Sequence, residues 1–541
     1  MLRDAIDLRR LPWIRPLVNA YAHDFAGVAA LFAGNPADEA AWRETIARVQ
    51  KSTRDRSTIA RVLGQQLTRR GAPPAAQEAA SLLARPDTVA IVTGQQAGVF
   101  GGPLYTMLKA VTAIQLARRV RDDHGVPAVA LFWVDAEDHD WDEISSASLL
   151  DRDFALREVT LDELPGAGDH PVARLRLDER VETTLSALES LLPPSEFTAE
   201  VMAALRRRYR PGEGVASVFA GWIEDLLGAQ GLVVFEADDR DAKPLVAELF
   251  ERELTNPCRT GRLAREAGAL MKQLGHAPQV EPAEDAVALF YLDESGRRPI
   301  KKRGHDFAIG DETRTAAEIR GEARSHPERF SPNVLLRPLV QDRLFPTVCY
   351  IAGPSELAYQ AQLGGVYREF GVEAPLLYPR ASVTLLDSAA ARFFEKHDLP
   401  LEGLHAQDES ALNRLLESQL PPIVDEALNA TERFIADQMT RLKSALPAVD
   451  PTLSGVVDTT QDRLHDTLKS LQSKIIQASK RKDETLRRQF MRTRALTFPG
   501  GQPQERVLSL AFFVNRYGPL LGDRLIEVLP VDTDRHYLLA L

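Results

Sequence analysis

At 541 residues, with a formal net charge of −11 and 44% hydrophobic residues, the chain is too long for one hydrophobic core and too acidic for a surface built around nucleic acid. Its two cysteines, Cys258 and Cys349, lie far apart and form no CxxC pair, which gives no zinc-ligand spacing and fits a reducing compartment. The charged N-terminal stretch has no apolar signal region and the longest apolar run, 126–134, is too short for a bilayer, so a cytoplasmic protein with no membrane partner is expected.

Five short runs read as strands covered on both faces: TVAIVTG (88–94), PAVALFWVD (127–135), GLVVFEAD (231–238), PTVCYIAG (346–353) and EAPLLYPR (373–380). They lack polar alternation and are rich in Val, Ile, Leu and aromatics, the pattern of a parallel sheet sandwiched by helices. Helices are predicted behind most of them. Pro103 opens one whose Leu104, Leu108, Val111 and Ile114 form an apolar stripe, DAKPLVAELFERELT follows the third run, and Pro354 opens another. The pattern is α/β and doubly wound.

The connections between the second, third and fourth runs are too long for simple crossovers, so two inserted subdomains are expected at 151–230 and 257–332, between core segments 1–150, 231–256 and 333–399. Within the second, 287–310 reads as a hairpin around a Ser-Gly turn. Its Arg297, Arg298, Lys301, Lys302 and Arg303 could bind phosphate or nucleic acid, but a solvated, charge-protected edge is the simpler reading. From 400 to 495, Leu428, Ile435, Met439, Leu442 and Leu446, then Leu464, Leu468, Leu471, Ile475 and Ala478, fall at heptad-compatible spacing on either side of PAVDP. This predicts two long antiparallel helices whose stripe packs internally or against a second copy, a homodimer being expected. Segment 496–541 is apolar enough to return to the core.

Each candidate site motif follows a predicted strand, where ligands collect in open α/β sheets. After the first come Gly94, Gln95 and Gln96, then Gly98, Gly101 and Gly102, with Tyr105 just beyond. This is neither GxGxxG nor a Walker A loop, and the glutamines offer donors and acceptors that a plain turn does not need. After the second, WVDAEDHDWDEI packs Asp135, Glu137, Asp138, His139, Asp140, Asp142 and Glu143 together. The cluster could bind a divalent cation, hold a substrate ammonium, or supply an acid/base pair from His139 and a carboxylate; the plainer alternative is a solvated loop with acidic residues at a helix start. The fourth run delivers Gly353, Ser355, Glu356 and Tyr359. The fifth delivers Arg380 and Ser382, suited to phosphate or carboxylate charge or to an ion pair with the acidic cluster.

The stretches VTGQQAGVFGGPLYTMLKAVTAIQLA, FWVDAEDHDWDEI, LRPLVQDRLFPTVCYIAGPSELAYQAQLGGVYREFGVEAPLLYPRAS and FPGGQPQERVLSLAFFVNRYG resemble, in this order, the hallmark stretches of the bacillithiol biosynthesis BshC family. The resemblance spans nearly the whole chain. It implies a Rossmann-type parallel-sheet core with two inserted connecting-peptide subdomains and a C-terminal antiparallel coiled-coil hairpin. It also implies a cysteine ligase joining L-cysteine to glucosaminyl malate through an amide bond, with Gln95, Gln96, Asp138, His139, Glu356 and Arg380 around the pocket. Amide formation in water is uphill, so ATP is expected to activate the carboxyl. The helix start after Gly102 would receive phosphates, Arg380 would neutralise the transferring group, and the Asp138/His139 loop would bind Mg²⁺ or accept a proton. His139, Asp138 and Arg380 are thus the expected catalytic residues; Gly94, Gln95, Gln96, Gly101, Gly102, Tyr105, Glu137, Asp140, Gly353, Glu356, Tyr359 and Ser382 are expected to bind substrate or nucleotide. No dedicated protein metal site is expected. The competing reading is a non-catalytic coiled-coil dimer whose core senses a small molecule or acts as a scaffold in thiol metabolism.

Overall fold

The computed structural model describes residues 2–417, 422–450, 453–482 and 484–541. The chain divides into two compact units, residues 1–385 with 504–541, and residues 386–503.

At the heart of the first unit is a five-stranded parallel sheet built from the five runs that read as strands: β1 (Val89–Gln95), β2 (Ala128–Val134), β3 (Val233–Glu236), β4 (Thr347–Ala352) and β5 (Leu376–Pro379). Their order is β5-β4-β1-β2-β3, so the winding reverses between β1 and β4 and opens a crevice beyond their carboxyl ends. All seven residues of β2 are buried, which explains why the run carries no polar alternation.

The helix Tyr105–His124 packs on β1 and β2, with Leu108, Val111 and Ile114 in the core. It starts two positions after Pro103. Pro103 bridges to Ser509, and the Leu104 N–H donates to the Leu508 carbonyl, so the returning C-terminal segment occupies the approach to the helix. By contrast, the helix Pro354–Gln360 does begin at its proline.

Between β2 and β3 the chain forms a small hairpin, Ser146–Leu150 with Leu156–Thr160, and then the helices Arg180–Leu191, Thr198–Arg208 and Val215–Leu227. Between β3 and β4 lies a second, antiparallel sheet. Its central hairpin, Ala286–Asp293 with Gly296–Arg303, turns where Ser295-Gly296 predicts. Gly296, at φ 120°, is required there because a Cβ would lie 2.4 Å from the Asp169 carbonyl oxygen. The strands Leu2–Asp7 and Arg535–Ala540 pair antiparallel and tie the last segment to this unit.

In the second unit, the helices Pro422–Ala445 and Ser454–Lys482 run antiparallel, as ion pairs Lys443–Asp458 and His465–Glu432 require. Leu428, Ile435, Met439 and Leu446 are partly buried, as are Leu468 and Ile475 across the hairpin. Leu442, Leu464 and Leu471 face outward, together with Phe434 at 65% exposure. The Ala478 side chain lies outside the described ones. The unit begins at Leu386 because the helix Ser388–His397 packs on the helix Glu484–Thr497, Phe393 against Phe490. Among the described residues no helix is long and apolar enough to cross a membrane.

Candidate active site

A cavity of about 560 Å³ sits at the carboxyl ends of the sheet strands, bordering the crevice between β1 and β4. It brings together Gly94, Gln95, Gln96 and Tyr105 from behind β1, Asp138 and His139 from behind β2, Gly353, Glu356 and Tyr359 from behind β4, and Arg380 from behind β5. The β1 glycine serves close strand approach: a Cβ on Gly94 would lie 2.9 Å from the Trp133 carbonyl oxygen.

The glutamines orient other groups. Gln96 donates through Nε2 to Asp138 Oδ2 at 2.8 Å, and Gln95 Oε1 accepts from Lys109 Nζ at 2.9 Å. Lys109, buried one turn inside its helix, also donates to the Gly94 carbonyl at 2.8 Å and pairs with Glu356 at 2.5 Å. Glu356 accepts in addition from the Tyr350 hydroxyl at 2.6 Å and the Gly353 N–H at 2.7 Å. Burial pushes the Lys109 amine down, against the pull of the Glu356 charge. Arg337 reaches in from the helix Arg337–Leu344, donating to the Tyr359 hydroxyl at 2.8 Å with Asp135 at 3.7 Å. Burial raises the Asp135 carboxyl, offset by the Arg337 charge.

Asp138 behaves differently. Burial would raise it too, but its contacts with His139 and Gln96 and the charge of Arg297 hold it well below the usual carboxylate range. It is an anchored anion, with little capacity to accept a proton.

Several residues expected in the site stand elsewhere. Glu137 is buried behind the cavity in a pair with Lys243, which also donates to the Phe330 carbonyl. Asp140 caps the short helix Trp141–Ile144, accepting from the Glu143 N–H at 3.2 Å. Ser382 bonds His536 Nδ1 at 2.7 Å and the Glu505 carboxylate, and Arg380 pairs with Glu505, not with the acidic cluster. Gly101 serves the turn: Phe100, Gly101 and Gly102 all have positive φ, and a Cβ on Gly101 would lie 3.0 Å from Leu510. Gly102 borders an adjoining cavity of about 280 Å³ that shares Gln95, Gln96, Tyr105, Glu143 and Arg506 with the main one. At the helix start beyond it, expected to receive phosphates, the Leu508 carbonyl takes the Leu104 N–H.

The structure corrects the reading of Arg297 as a solvated edge residue. Its side chain is only 7% exposed and forms part of the cavity wall, stacked 3.8 Å from the Phe290 ring centroid. Asp135, of the acidic cluster, also lines the cavity, as do Lys109, Arg337 and Arg506, which the sequence motifs do not mark as site residues. A signal existed for Lys109, a lone cation inside the apolar run LYTMLKAVTAI; Arg297 carried none, because strand alternation alone does not say which face a neighbouring subdomain will cover.

Comparison with known proteins adds an independent line. The family model described as "Bacillithiol biosynthesis BshC, N-terminal Rossmann-like domain" matches residues 1–381, and "Bacillithiol biosynthesis BshC, C-terminal coiled-coil domain" matches residues 383–541. Among curated relatives, the protein of Salinibacter ruber named "Putative cysteine ligase BshC" is 34% identical over 96% of this chain and 95% of its own length. Proteins of the same name from Koribacter versatilis and Symbiobacterium thermophilum are each 31% identical, over 97% and 95% of this chain and 98% and 95% of their own lengths. Matching family models over both parts and relatives aligned over nearly their full lengths carry one conclusion: this chain belongs to the bacillithiol biosynthesis BshC family.

Proposed function

We propose that the chain is a cytoplasmic cysteine ligase that joins L-cysteine to glucosaminyl malate through an amide bond, with ATP activating the cysteine carboxyl. The observation that carries this reading is a cavity at the switch point of a Rossmann-like sheet with five cationic side chains, Lys109, Arg297, Arg337, Arg380 and Arg506, beside the carboxylates Asp135, Asp138 and Glu356. Such a wall suits a zwitterionic amino acid, a dicarboxylate-bearing acceptor and transferring phosphoryl charge. In the bond-forming step the sugar amine attacks the activated carbonyl. A C–N bond forms, the bond to the phosphate or adenylate oxygen breaks, and the amine proton passes to a neighbouring base.

The residues present fit the anionic part of ATP through their cations. Among the described residues no group of three His, Cys, Asp or Glu side chains is arranged to hold a metal ion, so Mg²⁺ would enter with the phosphates. The deciding experiment incubates the purified chain with cysteine, glucosaminyl malate and ATP and follows the product by mass. AMP release identifies an adenylate and ADP an acyl phosphate; no product, with both substrates bound, overturns the ligase reading.

The second reading, a sensor or scaffold, draws on the outward Phe434, Leu442, Leu464 and Leu471 of the hairpin. These residues equally suit a homodimer of the ligase, which we favour because the same chain carries the lined cavity.

A further inference from the structure

Among the described residues His139 is the one imidazole lining the cavity, and its role turns on which ring nitrogen carries the proton. Arg297 answers this. Its guanidinium, which can only donate, is fixed on every side: Nε to Ser331 Oγ at 3.1 Å, Nη2 to the Pro332 carbonyl at 3.0 Å, and Nη1 to Asp138 Oδ1 at 3.3 Å and His139 Nδ1 at 3.1 Å. The backbone is fixed as well, since the Arg297 N–H donates to the Asp169 carbonyl at 2.8 Å. Asp138 Oδ1 lies 3.5 Å from His139 Nδ1, farther than the guanidinium, and already accepts from the His139 backbone N–H at 2.9 Å.

We propose that Arg297 is a positioning residue that makes His139 Nδ1 a hydrogen-bond acceptor, so that the ring presents Nε2–H to the cavity and acts as a donor to a substrate carboxyl or phosphoryl oxygen, not as the general base. This rests on the ligase reading for the identity of the oxygen, but not for the tautomer. The alternative arrangement, Nδ1–H donating to Asp138 with a bare Nε2 toward the substrate, is the one a base would need. It would add a ring contact to the bonds that hold Asp138 ionised, but only across 3.5 Å, and with the Arg297 donor, at 3.1 Å, pointing at an N–H. The proton released by the attacking amine then goes to another group, and Asp135, on the same cavity wall with its carboxyl raised by burial, is the nearest in kind.

The test has two arms. In the first, the full chain is labelled with ¹⁵N-histidine, the His139 signals are assigned by their loss in His139→Gln, and the tautomer is read from the nitrogen shifts without substrate. The expected result is a pyridine-type Nδ1 and a pyrrole-type Nε2, with the Nδ1–H form appearing in Arg297→Gln. A pyrrole-type Nδ1 in the unsubstituted protein overturns the proposal whether or not the chain makes product. In the second arm, His139→Gln, whose amide donates from a position close to Nε2, retains product formation within about tenfold of wild type, while His139→Ala falls by about 10²-fold or more, as for loss of a donor to developing charge. Equal losses in the two variants, both correctly folded, indicate a base and refute the donor role.

Discussion

Arg380 and Glu505, 125 positions apart in the chain, form a buried ion pair at 2.7 Å that joins the end of β5 to the segment returning after the hairpin. Both side chains are under a tenth exposed, and the same carboxylate accepts from the Val383 N–H at 3.0 Å. Removing only the carboxylate strands a guanidinium in low dielectric. Glu505→Ala is expected to destabilise the first unit by about 3–5 kcal/mol in urea unfolding, and Glu505→Gln by less, because the amide still accepts. Equal, small losses would show that Arg380 finds another partner.

Arg506 contrasts with its neighbour. It is exposed, borders both cavities, and makes no side-chain hydrogen bond or ion pair among the described residues, whereas Lys109, Arg297, Arg337 and Arg380 are each committed. Arg506→Gln should leave the melting temperature unchanged and raise KM for the anionic acceptor about tenfold or more, the cost of one charge-assisted contact. An unchanged KM would place the acceptor elsewhere.

Stability should depend on pH through His536. The ring is 1% exposed and bonded to Ser382 and Thr384, and burial lowers its pKa to about 4 from an ordinary 6.5. The fold therefore holds the neutral ring, while the unfolded chain binds a proton below pH 6.5. The stabilisation is complete above pH 6.5 and is lost as pH falls toward 4, at up to about 1.4 kcal/mol per unit. Chemical unfolding across this range, in wild type and His536→Gln, checks the slope; the variant should be flatter.

Pairing of two chains is tested on the hairpin. Leu464 and Leu471 are 36% and 49% exposed on one helix, with Leu442 and Phe434 exposed on the other. The double variant Leu464→Glu, Leu471→Glu should sediment as a monomer with unchanged helicity if these faces meet a second copy. A wild-type chain already monomeric at micromolar concentration would end that expectation.

The core was legible because its chemistry is local. Continuous Val, Ile and Leu runs specify buried parallel strands, and the residues just beyond them, Gln95, Gln96, Asp138, His139 and Arg380, must cluster wherever such strands end. The hairpin was legible for the same reason, through heptad spacing. What escaped were side chains whose roles depend on distant partners. Arg297 lies on a strand with four other basic residues, and only docking of that hairpin against the acidic loop distinguishes it from Lys301 or Lys302, which stay exposed. Glu137 and Asp138 are adjacent in sequence, yet one turns to Lys243 behind the wall and the other to Gln96 inside it. Composition cannot separate them.

The two ends left by lifting out residues 386–503 already hold each other. The Leu385 N–H donates to Gln504 Oε1 at 2.8 Å, and Gln504 Nε2 returns a bond to the Leu385 carbonyl at 3.0 Å. In topological terms the helical unit is an excursion that departs from and rejoins the sheet-bearing unit at a single doorway. Cutting the chain before residue 504 would discard Glu505 and Arg506, whereas splicing 385 to 504 through a few glycines would keep them. A self-standing sheet-bearing unit, freed of residues 386–503, is thus a matter of excision and not of truncation.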